Sequence, residues 1–233
     1  MPTVILVRHG RSSANGSGVL AGRTPGVKLD DKGREQAVAV ADRLAKLPLA
    51  AVVSSPLERC RQTAAEIVRR HDGLKVASDK RLTECGYGDW TGKALKDLAK
   101  EPLWKVVQQH PSGVTFPGGE SMRAMQQRGV DAVRDHDARI GAEHGPGALW
   151  VAVSHGDVIK AIVADALGMH LDAFQRIVVD TASTTVISYT PGRPFVVQVN
   201  DTGSDLASLV PPPPKKKSSR RRIPESDAVV GGR

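Results

Sequence analysis

Aromatic side chains are scarce in this sequence: three Trp, two Tyr and three Phe make up 3% of 233 residues. A chain so poor in π-faces has no row of stacking platforms for unpaired bases, so nucleic acid is not an expected ligand. Cysteine is scarcer still, with only Cys60 and Cys85. They form no metal-type pair, and free thiols in a reducing cytoplasm are the expectation. No apolar run approaches the roughly 20 residues needed to cross a bilayer. The first apolar stretch has no basic segment before it and runs straight into a charged turn, so it reads as a β-strand, not a signal peptide. No membrane partner is expected. Without secretion, Asn15-Gly16-Ser17 and Asn200-Asp201-Thr202 carry no meaning as glycosylation sites.

What is present is ordinary for a soluble globular chain, with 40% hydrophobic and 25% charged residues. The length suits one sizeable α/β domain and is too short for two. The net charge of +8 is unevenly spread. Lys215, Lys216, Lys217, Arg220, Arg221, Arg222 and Arg233 stand against only Glu225 and Asp227 from Pro211 onward, which leaves a net +3 for the remaining residues. The reading is a mildly basic domain over residues 1–203 and a Pro-rich basic tail over 204–233, predicted to be disordered. No aromatics interleave the tail's charges, which favours a solvated tail over a nucleic-acid arm.

Strand and helix patterns alternate, which predicts a three-layer α/β/α fold with a mostly parallel, mixed central sheet. Strands are expected at Val4–Val7, Ala51–Ser54, Leu74–Ala77 and Leu149–Val153, with closing strands at Val178-Val179, Thr184–Ser188 and Phe195–Val199. Asp30 or Asp31 caps a helix through Lys46, and Pro56 marks the start of a helix reaching about His71. Residues 93–119 are broken by Pro102, Pro111 and Pro117. Longer helices follow at Ser121–Glu143 and Gly156–Leu167.

The chemistry gathers where strands end. Val4-Ile5-Leu6-Val7 stops on Arg8-His9-Gly10-Arg11-Ser12, and Leu149-Trp150-Val151-Ala152-Val153 stops on Ser154-His155-Gly156. Carboxyl ends of strands in open α/β sheets are where such folds place ligands. Arg59 lies on the first turn of the helix after Ser54-Ser55-Pro56, and Glu84 sits in a loop with Gly86, Gly88 and Gly92. Each of Arg8, His9, Arg59, Glu84 and His155 alone would pass as a structural or surface group, as His71, His110, His136, His144 and His170 do. Together, in this order and at these boundaries, they favour a site.

Arg8-His9-Gly10, then Ser55-Pro56-Leu57-Glu58-Arg59-Cys60-Arg61-Gln62-Thr63-Ala64, then Glu84 with Trp90-Thr91-Gly92, then Ser154-His155-Gly156 resemble the histidine phosphatase superfamily. That group includes cofactor-dependent phosphoglycerate mutases and many acid-type phosphatases, and the likeness spans roughly residues 3–200. The resemblance implies a phosphoglycerate mutase-like fold and His9 as a phosphorylated nucleophile. Arg8, Arg59 and His155 would hold phosphoryl oxygens, and Glu84 would donate the proton. Elementary chemistry agrees. Neighbouring arginines keep a histidine neutral and nucleophilic, planar guanidinium forks suit phosphate, and a carboxyl beside bound phosphate is held protonated.

Arg11, Ser12 and Asn15 fit the Arg-His-Gly-x-Ser-x-x-Asn form of mutase-like members, so Ser12 and Asn15 are candidate phosphate ligands, with Gly156 a further one at the second histidine. Ser12 and Asn15 are equally ordinary turn residues. Gly22-Arg23 is a candidate substrate contact, and Gly118-Gly119-Glu120-Ser121 resembles a stretch that precedes a long helix in the superfamily. Between Cys85 and Gln127 the only basic residues are Lys93, Lys96, Lys100, Lys105 and Arg123, without the run of arginines that mutases carry. A metal-independent phosphomonoesterase acting on small phosphorylated metabolites is therefore favoured, with a phosphoglycerate mutase as the alternative. No metal or cofactor is called for, and the reading leaves room for a homo-oligomer.

Overall fold

Residues 2–203 are described in the computed structural model; the expected basic tail lies outside them. Six strands form one sheet: β1 (Thr3–Arg8), β2 (Leu49–Ser54), β3 (Val76–Ser78), β4 (Leu149–Ser154), β5 (Thr184–Tyr189) and β6 (Pro194–Asp201). Their order across the sheet is β3-β2-β4-β1-β5-β6. The first four strands run parallel, and β5 and β6 return antiparallel, so the sheet is mixed. The helices are α1 (Ser13–Ser17), α2 (Asp31–Leu44), α3 (Glu58–Val68), α4 (Leu95–Leu98), α5 (Pro102–Gln109), α6 (Met122–His144) and α7 (Gly156–Ala166). No helix among the described residues is long and apolar enough to cross a membrane.

Alternation along β1 explains the three layers. Val4 and Leu6 point into a core with Met122, Met125, Val133 and Ile140 of α6 and Val158 and Ile162 of α7. Ile5 and Val7 point the other way, against Val40, Ala41 and Leu44 of α2 and Cys60, Ala64 and Ile67 of α3. Both faces are covered, so β1 and β4 read as continuous apolar runs rather than as polar–apolar alternation. The helix starts follow capping chemistry. Asp30 accepts from the Gly33 N–H at 2.8 Å and Ser121 from the Ala124 N–H at 3.1 Å.

Four local expectations change. Val178-Val179 is not a strand, because the Val179 carbonyl is taken by the Arg8 guanidinium (Nη1 to O, 2.7 Å) instead of a ladder partner. Pro102 starts α5 rather than breaking a helix, since its missing N–H costs nothing in the first turn. The third strand is three residues long and sits at Val76–Ser78. The loop after β1 contains α1, which ends on Gly18 at φ 67°, a left-handed cap that glycine adopts without strain.

Candidate active site

The register of the two central strands builds the site. Arg8 pairs with Ser154 across β1 and β4, so His9 and His155 leave the sheet side by side. Their ring centroids are 5.2 Å apart in an edge-to-face arrangement, and both are buried. Close backbone packing holds the first turn in place. A Cβ on Gly10 would stand 2.4 Å from the Gly33 carbonyl oxygen, and one on Gly33 only 1.8 Å from that of Arg11. Glycines at both positions let the start of α2 rest directly on the turn after His9. The Gly10 N–H donates to Thr63 Oγ1 at 3.1 Å, tying the same turn to α3.

Hydrogen bonds assign the histidine tautomers. His9 Nδ1 lies 2.7 Å from the Gly10 carbonyl oxygen, which can only accept, so the proton sits on Nδ1. Nε2 then carries the lone pair and accepts from Arg59 Nε at 3.2 Å. His155 is arranged the opposite way. Its Nδ1 accepts from Arg59 Nη2 at 3.2 Å, and its Nε2–H donates to Ser55 Oγ at 2.8 Å. One guanidinium therefore bridges both rings, and its Nη2 also donates to the Gly22 carbonyl at 2.8 Å. Arg59 Nη1 is buried and has no hydrogen-bond partner among the described residues. A buried N–H of a cation without an acceptor is costly, and an anion bound between the two histidines would satisfy it.

Burial pushes both imidazoles well below the ordinary histidine value, and the charges of Arg59 and Arg8 add to the effect. His9 thus stays neutral, with its lone pair available, into the acid range. Glu84 moves the other way. Burial, and then the negative charge of Asp157, raise its carboxyl to about 7, against the opposing pull of Arg59 and Arg8. Its Oε1 accepts from the Cys85 N–H at 2.9 Å, and its Oε2 lies 3.8 Å from His155 Nδ1. The group can hold a proton near neutral pH and stands beside the ring that faces Arg59. Arg8 is fully buried, anchored on the Val179 carbonyl, and lies in the field of Glu84, Asp157 and Asp180.

The structure brings Arg8, His9, Arg59, Glu84 and His155 into one cluster, with Gly156 opening α7 at its edge. The N-terminus of that helix faces the site, where its partial positive charge favours an anion. Ser12 and Asn15 are engaged with each other. Ser12 Oγ donates to Asn15 Oδ1 at 2.8 Å and accepts from the Asn15 N–H at 3.3 Å, while the Ser12 N–H returns to Asn15 Oδ1 at 3.0 Å. This reciprocal pair caps α1. Cys60 and Cys85 are free and buried, and burial raises the Cys60 thiol to about 12.

Sequence reasoning passed over four contributors. Ser55 sets the His155 tautomer, and Thr63 holds the turn after His9. Asp157, fully buried in the first turn of α7, accepts from Tyr87 Oη at 2.7 Å and loads negative charge beside Glu84. Residue types at helix starts gave a signal for Ser55 and Asp157. Thr63 falls inside the stretch that carries the family resemblance, and nothing local marks Tyr87.

Comparison with known proteins gives the family. Residues 4–202 match the histidine phosphatase superfamily (branch 1). The chain is 30% identical over 205 residues to phosphoserine phosphatase 1 of Hydrogenobacter thermophilus, covering 87% of this chain and 93% of that protein. It is 34% identical over 179 residues to a probable phosphoglycerate mutase of Erwinia tasmaniensis, covering 76% of this chain and 80% of that one. The solved structure of a mycobacterial glucosyl-3-phosphoglycerate phosphatase with VO3 superposes with a TM-score of 0.77 at 28% identity. That match spans 85% of this chain and 98% of the other. The chain belongs to branch 1 of the histidine phosphatase superfamily, an enzyme family of phosphatases and mutases.

Proposed function

We propose that this protein is a metal-independent phosphomonoesterase that hydrolyses small phosphorylated metabolites through a phosphohistidine on His9. The observation that carries the reading is the His9–Arg59 pair. A buried neutral ring presents its Nε2 lone pair to a guanidinium whose Nη1 has no partner among the described residues. A phosphate monoester entering here supplies oxygens for Arg59 and Arg8, and its negative charge favours protonation of His155, which then donates as well. His9 Nε2 attacks phosphorus and the P–O bond to the leaving group breaks. Glu84 gives its proton to the departing oxygen, and the alcohol leaves. A water then attacks the phosphohistidine while Glu84 takes up its proton, and the P–N bond breaks to return His9 and inorganic phosphate.

Water is favoured as the acceptor over a second hydroxyl of the substrate. Lys93, Lys96, Lys100 and Lys105 are exposed, Lys100 pairs with Asp97, and Arg123 donates to the Ser112 carbonyl. The segment after Glu84 thus lacks an arginine grip for a second phosphate. Relatives named for phosphoserine and glucosyl-3-phosphoglycerate support small metabolites as the substrate class. The mutase alternative rests on the Arg8-His9-Gly10-Arg11-Ser12 start and on the relative named as a probable phosphoglycerate mutase.

Phosphate release from a panel of small phosphomonoesters, run beside a 3-phosphoglycerate isomerisation assay with His9→Ala as control, separates the two. Release that vanishes in the control is expected. Isomerisation without release would move the chain to the mutase side.

A further inference from the structure

The stretch Gly118-Gly119-Glu120 has a role that helix capping does not explain. Ser121 caps α6, yet the carboxylate of Glu120 takes no part in the cap and joins that helix, through Arg128, to the loop that carries Glu84. Its Oε1 accepts from the Gly86 N–H at 2.8 Å, and its own N–H donates to the Gly86 carbonyl at 2.8 Å. Two guanidiniums converge on the same carboxylate, Arg23 (Nη2 to Oε1, 2.8 Å) and Arg128 (Nη2 to Oε1, 2.6 Å; Nε to Oε2, 3.1 Å).

Both guanidiniums then reach the main-chain carbonyl of Glu84, Arg23 from Nε at 2.8 Å and Arg128 from Nη2 at 3.1 Å. Arg128 Nη1 also donates to the carbonyls of Arg81 and Thr83, each at 2.6 Å. The glycines make this possible. A Cβ on Gly119 would stand 2.1 Å from the Gly86 carbonyl oxygen, so only glycine lets the Glu120 segment press onto the acid loop.

We propose that Glu120 is the positioning residue for Glu84, using Arg23 and Arg128 as two arms that fix the backbone of the proton donor. The inference rests on Glu84 being that donor. Removing the Glu120 carboxylate leaves two cations facing one another across the Glu84 carbonyl. Repulsion then swings out Arg23, whose side chain is 45% exposed, and the Glu84 carbonyl loses one of its two guanidinium donors while the Gly86 N–H loses its carboxylate acceptor. The carboxyl of Glu84 stays present but moves off line, and misplacement on the order of 1 Å costs about 100-fold in rate.

The test uses leaving-group chemistry, which a general loss of structure would not sort. p-Nitrophenolate departs without a proton, whereas the alkoxide of glycerol 2-phosphate requires one. Steady-state kcat and KM on both substrates are measured for the wild type, Glu84→Gln, Glu120→Ala, Glu120→Gln and Arg23→Ala, with thermal midpoints alongside. Glu84→Gln is expected to lose about 100-fold or more in kcat/KM, which reads only the steps up to alcohol release, on glycerol 2-phosphate and far less on p-nitrophenyl phosphate. Glu120→Ala should repeat that pattern in kcat/KM at about 10- to 100-fold. Glu120→Gln should fall between it and the wild type, and half-exposed Arg23→Ala should show the same selectivity more weakly. If Glu120→Ala does not fold, the last two variants decide.

Equal losses in kcat/KM on both substrates, or no loss on either, in the Glu120 and Arg23 variants would overturn the positioning role. A Glu84→Gln enzyme without leaving-group selectivity would instead remove Glu84 as the donor, and the positioning role with it.

Discussion

The two histidines at the centre of this molecule are nearly equivalent by position and opposite in chemistry. Both follow a parallel strand, both precede a glycine, both are buried, and both are held neutral by burial and by Arg59. What separates them is one hydrogen bond each. His9 gives its Nδ1 proton to the main-chain carbonyl of Gly10, so its lone pair is on Nε2. His155 gives its Nε2 proton to the side chain of Ser55, so its lone pair is on Nδ1, 3.8 Å from Glu84. Under the proposed function, the division of labour between attacking and holding therefore depends on the second nitrogen of each ring, not on residue type. It also makes the two unequal in robustness. The acceptor for His9 is backbone and survives any side-chain substitution, whereas the acceptor for His155 can be deleted.

Substitution of the rings should break the comparison most sharply. His9→Ala is expected to fall to background on every substrate and to form no phosphoenzyme, while His155→Ala retains phosphoenzyme formation and loses about 10²- to 10³-fold in turnover. Steady-state rates with quench-flow trapping read both. Arg59→Met comes next. It removes the bridge between the rings and the buried Nη1, and about 10²- to 10³-fold in kcat/KM should go on alkyl and aryl phosphates alike.

The pH profile sharpens the contrast between base and acid. Glu84 must be protonated to donate, so hydrolysis of alkyl phosphates by the free enzyme should fall as pH rises through about 7. His9 must be neutral to attack, and its depressed value puts the acid limb well below the ordinary histidine range. Glu84→Gln should abolish the upper limb and leave the lower one. A kcat/KM profile on glycerol 2-phosphate checks this. The smallest effect belongs to Ser55→Ala, which leaves the Nε2–H of His155 with only the weakly accepting Cys60 sulfur at 3.4 Å. It should cost about 1–3 kcal/mol in stability, read by denaturant melts, with His9 phosphorylation still detectable.

Much of this contrast was legible in the chain. Apolar runs ending on Arg8-His9 and Ser154-His155 located the strand ends, and Arg59 was placed on a first helical turn by Pro56. The polarity of each imidazole was not legible, because it depends on Gly10 and Ser55 lying at particular distances in the folded molecule. Val178-Val179 misled for a related reason. Two β-branched residues suggest a strand, but a buried guanidinium claims the carbonyl a ladder would use. Ser12 and Asn15 fit two readings in sequence, and in the fold they cap α1 through each other. Gly118-Gly119-Glu120-Ser121 resembles a stretch that precedes a long helix, and the structure divides it: Ser121 caps α6 and Glu120 reaches the acid loop.

The central claim is that His9, not His155, carries the phosphoryl group. Rapid quench of the wild-type enzyme with a phosphate-labelled substrate, followed by peptide mapping under alkaline conditions that preserve phosphohistidine, tests it directly. The account predicts acid-labile label on the peptide containing His9 and none on that containing His155. Label on His155, or turnover surviving in His9→Ala, would contradict it.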